Sequence, residues 1–455
     1  MVSVVWFQDD LRVHDHIALK KAAEQPYPII GVYARTFSHP KFTPNTAPIK
    51  ASFLEASLHD LSFSLGRYNI PLMVFDEAAS TVMDTLDHAY GIHTIYGHYM
   101  AAPFERFEAV KIAQKYPLNL YETQTLIHPS DLPFEVDRTP NGYTSFRKKV
   151  EKLWLIRDLV TPELHTQDPI EHTHHLNNPS VESFILEPGE TGGLRRLDYY
   201  TFESKKASTY KKTRNGMRRL DDSTKFSAYL SVGALSPRKV YHTVKAYEAA
   251  HGKNEDTYWI IFELLWRDYF KFQARKHRQT FFHKDGIQQK KVAWISDETR
   301  LQAIQTGMTG YPLVDANVRE LLATGFMSNR GRQNVASFWT KNLGLDWRLG
   351  EAFFEKHLID YDVESNTGNW QYVTGIGNDS MPFRYFDVIK QGERYDADES
   401  YLLKWVPELK DAPSGSRYKI PRMAPSERSA LHLDYPEPIV DFYPSLDAMK
   451  KRYGV

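Results

Sequence analysis

The segment Asp360-Tyr-Asp-Val-Glu-Ser-Asn-Thr-Gly-Asn-Trp370 crowds two Asp, two Asn and a Trp around one Gly. Paired carboxylates of this kind are the ligands a hard cation takes. The run is also poor in helix formers, which suggests instead a backbone held close to a ligand. Upstream, Asn329-Arg-Gly-Arg-Gln333 supplies cations that can pair with these acids. A third group, Glu263-Leu-Leu-Trp-Arg-Asp-Tyr-Phe270, reads as helix. Glu263 and Arg267 fall four apart on one face, with Trp266 beside them. An exposed ion pair accounts for that spacing, and so does the lining of a cavity for a flat polar ligand.

Residues 195–239 hold 12 Lys and Arg (Arg195, Arg196, Lys205, Lys206, Lys211, Lys212, Arg214, Arg218, Arg219, Lys225, Arg238 and Lys239) against four acids, with Tyr199, Tyr200, Phe202 and Tyr210 interleaved. That imbalance favours a phosphate-binding surface over a merely solvated face. Inside it, Asp221-Asp-Ser-Thr-Lys-Phe-Ser227 precedes a helical pattern. Free N–H groups and hydroxyls at a helix start bind phosphate, while plain N-capping explains the same residues locally. The Glu171-His-Thr-His-His175 run reads as a solvated loop, because no matching set of metal ligands accompanies it.

These residues need a frame. Through about residue 125, short β-branched runs at Val2–Phe7, Ile29–Ala34, Leu72–Phe75, Thr94–His98 and Leu120–Gln124 alternate with helical patterns at Asp15–Glu24, Ala47–Tyr68, Ala78–Tyr90 and Phe104–Tyr116. The alternation predicts an α/β, doubly wound parallel sheet over residues 1–128. No G-x-G-x-x-G follows the first strand, so the usual dinucleotide fingerprint is missing. Prolines interrupt residues 129–193, which read as a connector with one helix at Ser145–Leu159. From residue 194 to 455 the pattern is all-α, with an irregular tail after about Pro407.

The chain has 455 residues, 57 Lys+Arg against 57 Asp+Glu, and no Cys. Lack of cysteine excludes disulfides, thiolate metal sites and a catalytic thiol. Neutrality excludes a bulk polycation but leaves room for a local basic groove. No apolar run approaches the ~20 residues of a membrane span, and Met1–Trp6 lacks a signal-peptide pattern. The expectation is a soluble, cytoplasmic monomer. Aromatic residues make up 13% of the chain, which predicts buried ring clusters in a polar-surfaced protein.

Taken in order, these segments resemble the photolyase/cryptochrome flavoprotein family from Trp6 to about Trp405. Trp6-Phe-Gln-Asp-Asp-Leu-Arg-Val-His-Asp, Thr309-Gly-Tyr-Pro-Leu-Val-Asp-Ala and Asp346-Trp-Arg-Leu-Gly-Glu carry the likeness. Leu194-Arg-Arg-Leu, Ser223-Thr-Lys-Phe-Ser, Gly325-Phe-Met-Ser-Asn-Arg-Gly-Arg-Gln and Asn366-Thr-Gly-Asn-Trp-Gln-Tyr look like the DASH-type cryptochromes. The iron–sulfur branch of the family needs cysteines, and this chain has none.

The resemblance implies FAD as cofactor and light-driven electron transfer to cyclobutane pyrimidine dimers in UV-damaged, preferentially single-stranded DNA; a photosensory cryptochrome that signals through a partner is the alternative. It assigns the FAD diphosphate and ribityl chain to Tyr210, Ser223, Thr224, Lys225 and Ser227. Arg267 and Arg332 would face the flavin, Asp360 would pair with Arg332, Asp362 would lie at the N1/O2 or ribityl side, and Asn366 would sit at N5. Glu263, Trp266, Asn329, Gln333 and Tyr372 would line the lesion pocket, and Trp370, Trp347 and Trp294 would relay electrons to the flavin. Arg147, Lys148, Lys149 and Lys152 would help guide DNA. The family's antenna is commonly a folate, methenyltetrahydrofolate. Its contacting Glu aligns with Pro103, and that departure counts against folate here.

Overall fold

Val2–Phe7 is buried at every position, as a strand covered on both faces must be. This β1 lies at the centre of a five-stranded sheet with β2 (Ile29–Thr36), β3 (Leu72–Ala78), β4 (Ile92–His98) and β5 (Leu118–Tyr121), in the order β3-β2-β1-β4-β5. All pairings are parallel, with Val4 opposite Ile30 on one side and Ile95 on the other. Helices α1 (Ile17–Ala23) and α2 (Pro48–Gly66) cover one face through Leu19, Leu58, Leu61 and Leu65; α3 (Ala79–Tyr90) and α4 (Pro103–Ala113) cover the other through Val82, Met83, Leu86 and Ile112. The computed structural model describes every residue except Phe42, His175, Glu182, Ser380 and Pro382.

The last strand ends at Tyr121, three residues before the expected Gln124. The cause lies just downstream, where the Asp268 carboxylate accepts from the amides of Leu126 and Ile127 at 2.9 and 2.8 Å and draws the chain out of the sheet. The connector helix α5 spans Tyr143–Leu153, not Ser145–Leu159. Trp154 stops it in a left-handed conformation, φ 44°, with its indole N–H on the Tyr241 hydroxyl at 3.0 Å.

Two compact units emerge. The first joins Met1–Lys211, Thr224–Gln279 and Asp362–Glu364, so the sheet shares it with α6 (Gly189–Asp198), α8 (Ser227–Ser231), α9 (Pro237–His251), α10 (Glu255–His277) and the start of α7 (Tyr210–Thr213). Helix α10 has Glu255 and Asp256 in its first turn and Arg275, Lys276 and His277 in its last, which complements its dipole. The second unit comprises Lys212–Ser223, Thr280–Tyr361 and Ser365–Val455. It holds α11 (Glu298–Thr306), α12 (Pro312–Thr324), α13 (Asn329–Ser337), α14 (Trp347–His357), most of α15 (Val363–Thr374), α16 (Val388–Tyr395), α17 (Ser400–Trp405), α18 (Pro425–Ala430) and α19 (Phe442–Tyr453).

Two expectations are corrected in this unit. The Asp360–Trp370 run, poor in helix formers, becomes helical from Val363. Burial of Asn366, Thr367, Trp370 and Gln371 outweighs weak local propensity there. The tail is not irregular throughout: α19 packs Phe442 and Leu446 into the unit's core. Among the described residues, no helix is long and apolar enough to cross a membrane.

In the first unit, a cavity of about 50 Å³ sits beside Trp6, Gln8, Asp9, Tyr33, Met100 and Glu105. Glu105 Oε2 is buried without a hydrogen-bond partner, and burial pushes that carboxyl up to about 8. A raised carboxyl pKa means that the folded state binds the proton the unfolded state has released. This opposes folding increasingly as pH climbs from the ordinary carboxylate range to about 8, and levels off above it. Glu105→Gln is therefore expected to raise the melting temperature at pH 9 clearly more than at pH 5; equal shifts in thermal melts at the two pH values would contradict this.

Candidate functional site

In the first unit, α10 sets Glu263, Trp266 and Arg267 on neighbouring positions of one face. The Trp266 ring stacks on Tyr143 of α5, with centroids 3.6 Å apart and planes 10° from parallel. Tyr143 is buried and donates its hydroxyl to the Phe262 carbonyl at 2.9 Å. Burial, then the nearby Glu263 charge, pushes its phenol pKa up. One ring therefore backs both side chains, and no sequence signal had marked Tyr143.

Arg267 gives its guanidinium to the carbonyls of Gln124 and Leu230, and its Nε lies 3.3 Å from Asp362. Lys271, one turn on, reaches Asp362 at 3.1 Å and Glu364 at 2.8 Å. The Lys271 and Glu364 side chains are only 4% and 1% exposed. Asp9 is pushed up to about 7 by burial, opposed by Lys271 and reinforced by Asp362, Glu364 and Asp10. A guanidinium and an ammonium thus hold two carboxylates, while burial shifts the neighbouring Asp9 and Glu105 toward their protonated forms. Lys271 and Glu364 were not singled out from sequence.

Among the other first-unit candidates, Tyr210 is buried and meets Tyr200 edge-on at 6.5 Å. Thr224 offers its carbonyl to Arg196 at 3.0 Å. Lys225 is buried in a left-handed conformation, φ 61°, uncommon for a side chain of this kind and often a mark of a functional constraint. Ser227 opens α8 and is exposed. Ser223 belongs to the second unit and is half-buried.

The basic stretch is only partly a surface. Arg196 is buried, and Arg238 is buried in an ion pair with Asp15 at 2.6 Å. Lys205, Lys212, Arg218 and Arg219 are exposed, Arg218 pairing with Asp398 at 3.0 Å. On α5, Lys148, Lys149 and Lys152 are exposed, whereas Arg147 bonds Tyr258 at 2.6 Å and Glu151 at 3.2 Å. Among the described residues no cluster of His, Asp and Glu could hold a metal ion; His175 lies outside them.

In the second unit, Ser328 caps α13 by accepting from the Gly331 amide at 3.0 Å. Gly331 is required, since a Cβ there would lie 1.8 Å from Asn317 Oδ1. Arg332 pairs with Asp360 at 2.7 and 2.9 Å, as the resemblance implied, and its Nε donates to the Met327 carbonyl at 2.9 Å. Asn329 is exposed at the helix start, and Gln333 is half-buried with its Oε1 buried and unpartnered.

Asn366 donates to the Glu351 carbonyl at 3.1 Å, and the next residue, Thr367, gives its hydroxyl to the Glu351 carboxyl. Burial raises that carboxyl to about 7, with Glu355 and Asp346 acting in the same sense against the Thr367 bond and Arg348. Glu351 closes the Asp346–Glu351 run quoted above for the resemblance, but no role attached to it. Tyr372 is half-buried, its phenol raised by burial and Asp379 and lowered by Arg384. The Arg384 guanidinium lies 5.6 Å from the Tyr372 ring and is clamped by Asp379 at 2.6 Å.

Of the three candidate relay indoles, Trp370 and Trp347 are 2% and 0% exposed and Trp294 is half-buried. Trp347 donates to the Lys284 carbonyl at 2.9 Å. Gly350 lets α14 close on Trp370, because a Cβ there would come within 2.2 Å of its ring.

In the second unit an orphaned polar atom fits a bound polar group. Gln333 Oε1 is buried without a hydrogen-bond partner, a cost of roughly 1–3 kcal/mol unless a ligand or water supplies it. The comparisons agree. The chain matches the DNA photolyase family over residues 3–167 and the FAD-binding domain of DNA photolyase over residues 259–454. It is 41% identical to the cryptochrome DASH of Synechocystis sp. over 98% of this chain and 97% of that one.

The chain belongs to the photolyase/cryptochrome family. FAD is the cofactor of its helical domain. A solved Synechocystis sp. cryptochrome superposes with a TM-score of 0.92 at 39% identity, covering 99% of this chain and 98% of that one. An archaeal photolyase from Sulfolobus tokodaii, described with two FAD molecules, superposes with a TM-score of 0.81 at 28% identity and full coverage of both chains.

Removing Lys271 would leave Asp362 and Glu364 facing each other in the interior. Breaking a buried pair from one side costs about 3–5 kcal/mol. Lys271→Met is expected to lose about that much stability in urea unfolding at pH 8, and less at pH 5, where the stranded carboxylates take up protons.

Proposed function

We propose that this protein uses FAD and blue or near-UV light to split cyclobutane pyrimidine dimers, preferring single-stranded DNA. The arrangement of Glu263, Trp266 and Arg267 on one face of α10, with Trp266 fixed on Tyr143, carries the proposal. FAD, when bound, supplies the electron that opens the dimer and receives it back, so the reaction has no net redox change. The protein's part is to bind, orient and stabilise.

Tyr210, Ser223, Thr224, Lys225 and Ser227 hold the diphosphate and ribityl chain. Arg267 and Arg332 face the flavin, each fixed by its own carboxylate, Asp362 and Asp360. Asn366 lies at N5, where its amide accepts or donates a hydrogen bond without acting as an acid. Glu263 bonds a pyrimidine carbonyl or N–H and stabilises charge that develops there. Trp266 and Tyr372 pack on the two extruded bases, with Asn329 and Gln333 beside them. Exposed Lys148, Lys149 and Lys152 attract the DNA backbone.

Tyr372 favours the single-strand preference. A tyrosine offers less stacking area than an indole, and base–aromatic stacking is worth roughly 1–3 kcal/mol. Extrusion costs a few kcal/mol in a duplex and least from a single strand, so a weaker platform suits the cheaper substrate. A folate antenna is left out: Pro103, at the expected contact, is exposed at the start of α4 and has no carboxylate.

The test is light-dependent dimer repair by the FAD-loaded protein on single-stranded and duplex DNA. Repair is expected on both, faster on single strands, and Glu263→Ala is expected to lower it roughly tenfold or more while FAD stays bound. Flavin photoreduction without any dimer loss would identify a photosensor instead. Trp370→Phe is expected to slow photoreduction measured by flavin bleaching; an unchanged rate would remove Trp370 from the relay.

A further inference from the structure

Helix α13 does not end at Ser337 but continues through a π turn, Phe338–Asn342. Single π turns are uncommon and often sit at functional sites. Trp339 lies within this one. Its ring meets Trp370 edge-to-face, 5.9 Å between centroids and 81° between planes. Trp339 is 0% exposed and donates its indole N–H to the Asp346 carbonyl at 3.1 Å. The Trp370 N–H is buried without a hydrogen-bond partner.

We infer that Trp339 is a fourth electron-transfer residue of this chain, a side station that shares the electron vacancy created on Trp370. This rests on the reading above, in which Trp370 gives an electron to photoexcited flavin. In the added step one electron passes from Trp339 to the Trp370 radical cation. Trp370 is restored, Trp339 is left one electron short, and no bond is made or broken. The Trp339 N–H proton stays in place, because its partner is a backbone carbonyl and not a base.

The direction follows from the hydrogen bonds. Loss of an electron makes an indole N–H a far stronger donor, so a carbonyl acceptor stabilises the oxidised ring, more so in a dry interior. Trp339 has that acceptor and Trp370 does not. One ordinary hydrogen bond of difference favours the vacancy on Trp339 by about fivefold. Trp347, the next relay ring in the reading above, has an equivalent acceptor in the Lys284 carbonyl, so on that reading two exits lead from Trp370. In that reading the Trp347 exit continues to Trp294, which is half-buried. The vacancy on Trp339 therefore returns through Trp370 and is filled by way of Trp347 and Trp294 from a small-molecule thiol in solution.

The experiment uses FAD-loaded protein carrying Trp347→Phe, which closes the outward route. Flash absorption follows decay of the indole radical. Adding Trp339→Phe is expected to shorten its lifetime about fivefold, because the vacancy loses its resting place; equal lifetimes overturn the inference. Should the double variant fail to hold FAD, the electron–electron dipolar coupling of the radical pair in Trp347→Phe alone decides. Two separations are expected, and a single one overturns it. If Trp370→Phe still forms the indole radical at full yield, the underlying reading fails and the inference with it, an outcome distinct from equal lifetimes.

Discussion

Arg267 and Lys271, one turn apart on α10, hold the carboxylates of Asp362 and Glu364 across more than ninety residues of sequence. Four formal charges withdrawn from water are tolerable only if they satisfy one another. The pairing fixes Asp362 beside Arg267 and anchors the residues that open α15. That helix then carries Asn366 at its fourth position, Trp370 at its eighth and Tyr372 at its tenth.

Around this contact the chain manages acids by two opposite means. Asp10 is fully buried yet held as a carboxylate, well below the usual range, because His16 and His98 approach it at 2.7 and 2.8 Å. His16 uses its other ring nitrogen to accept from the Leu19 amide at 3.0 Å, and its Nε2 lies 2.7 Å from Asp10. Asp9, the adjacent residue, has no such pair of donors and is raised to about 7. Adjacent aspartates, both buried, are therefore shifted in opposite directions: imidazoles face Asp10, while like charges at Asp362, Glu364 and Asp10 add to burial at Asp9.

The sheet was legible because its signal is local: five short apolar runs can be buried on both faces only in a parallel, helix-covered sheet. Helix α10 followed from the same kind of local pattern, whereas the strand order was not called from sequence. What escaped were features decided by partners distant in sequence. Asp360–Trp370 lacks helix formers, yet Thr367 and Asn366 find Glu351, and burial completes the helix. The run of cations at 195–239 looked uniform, but Arg238 is committed to Asp15 and Arg196 to the Thr224 carbonyl. Tyr143 and Trp339 are ordinary aromatic residues in helical patterns, and only their ring partners distinguish them.

The amide at Asn366 gains its meaning from Glu351. A carboxyl raised to about 7 already stands behind it, bonded through Thr367. A second acid at position 366 would face a partly ionised neighbour in a dry setting, where like charges strongly disfavour each other. One of the two would then stay protonated, and which one would depend on pH. An amide avoids that ambiguity: it keeps one hydrogen-bonding pattern across the range in which Glu351 titrates. Asn366 holds the Glu351 backbone carbonyl and stays neutral, while the titrating Glu351 carboxyl is bonded separately by Thr367.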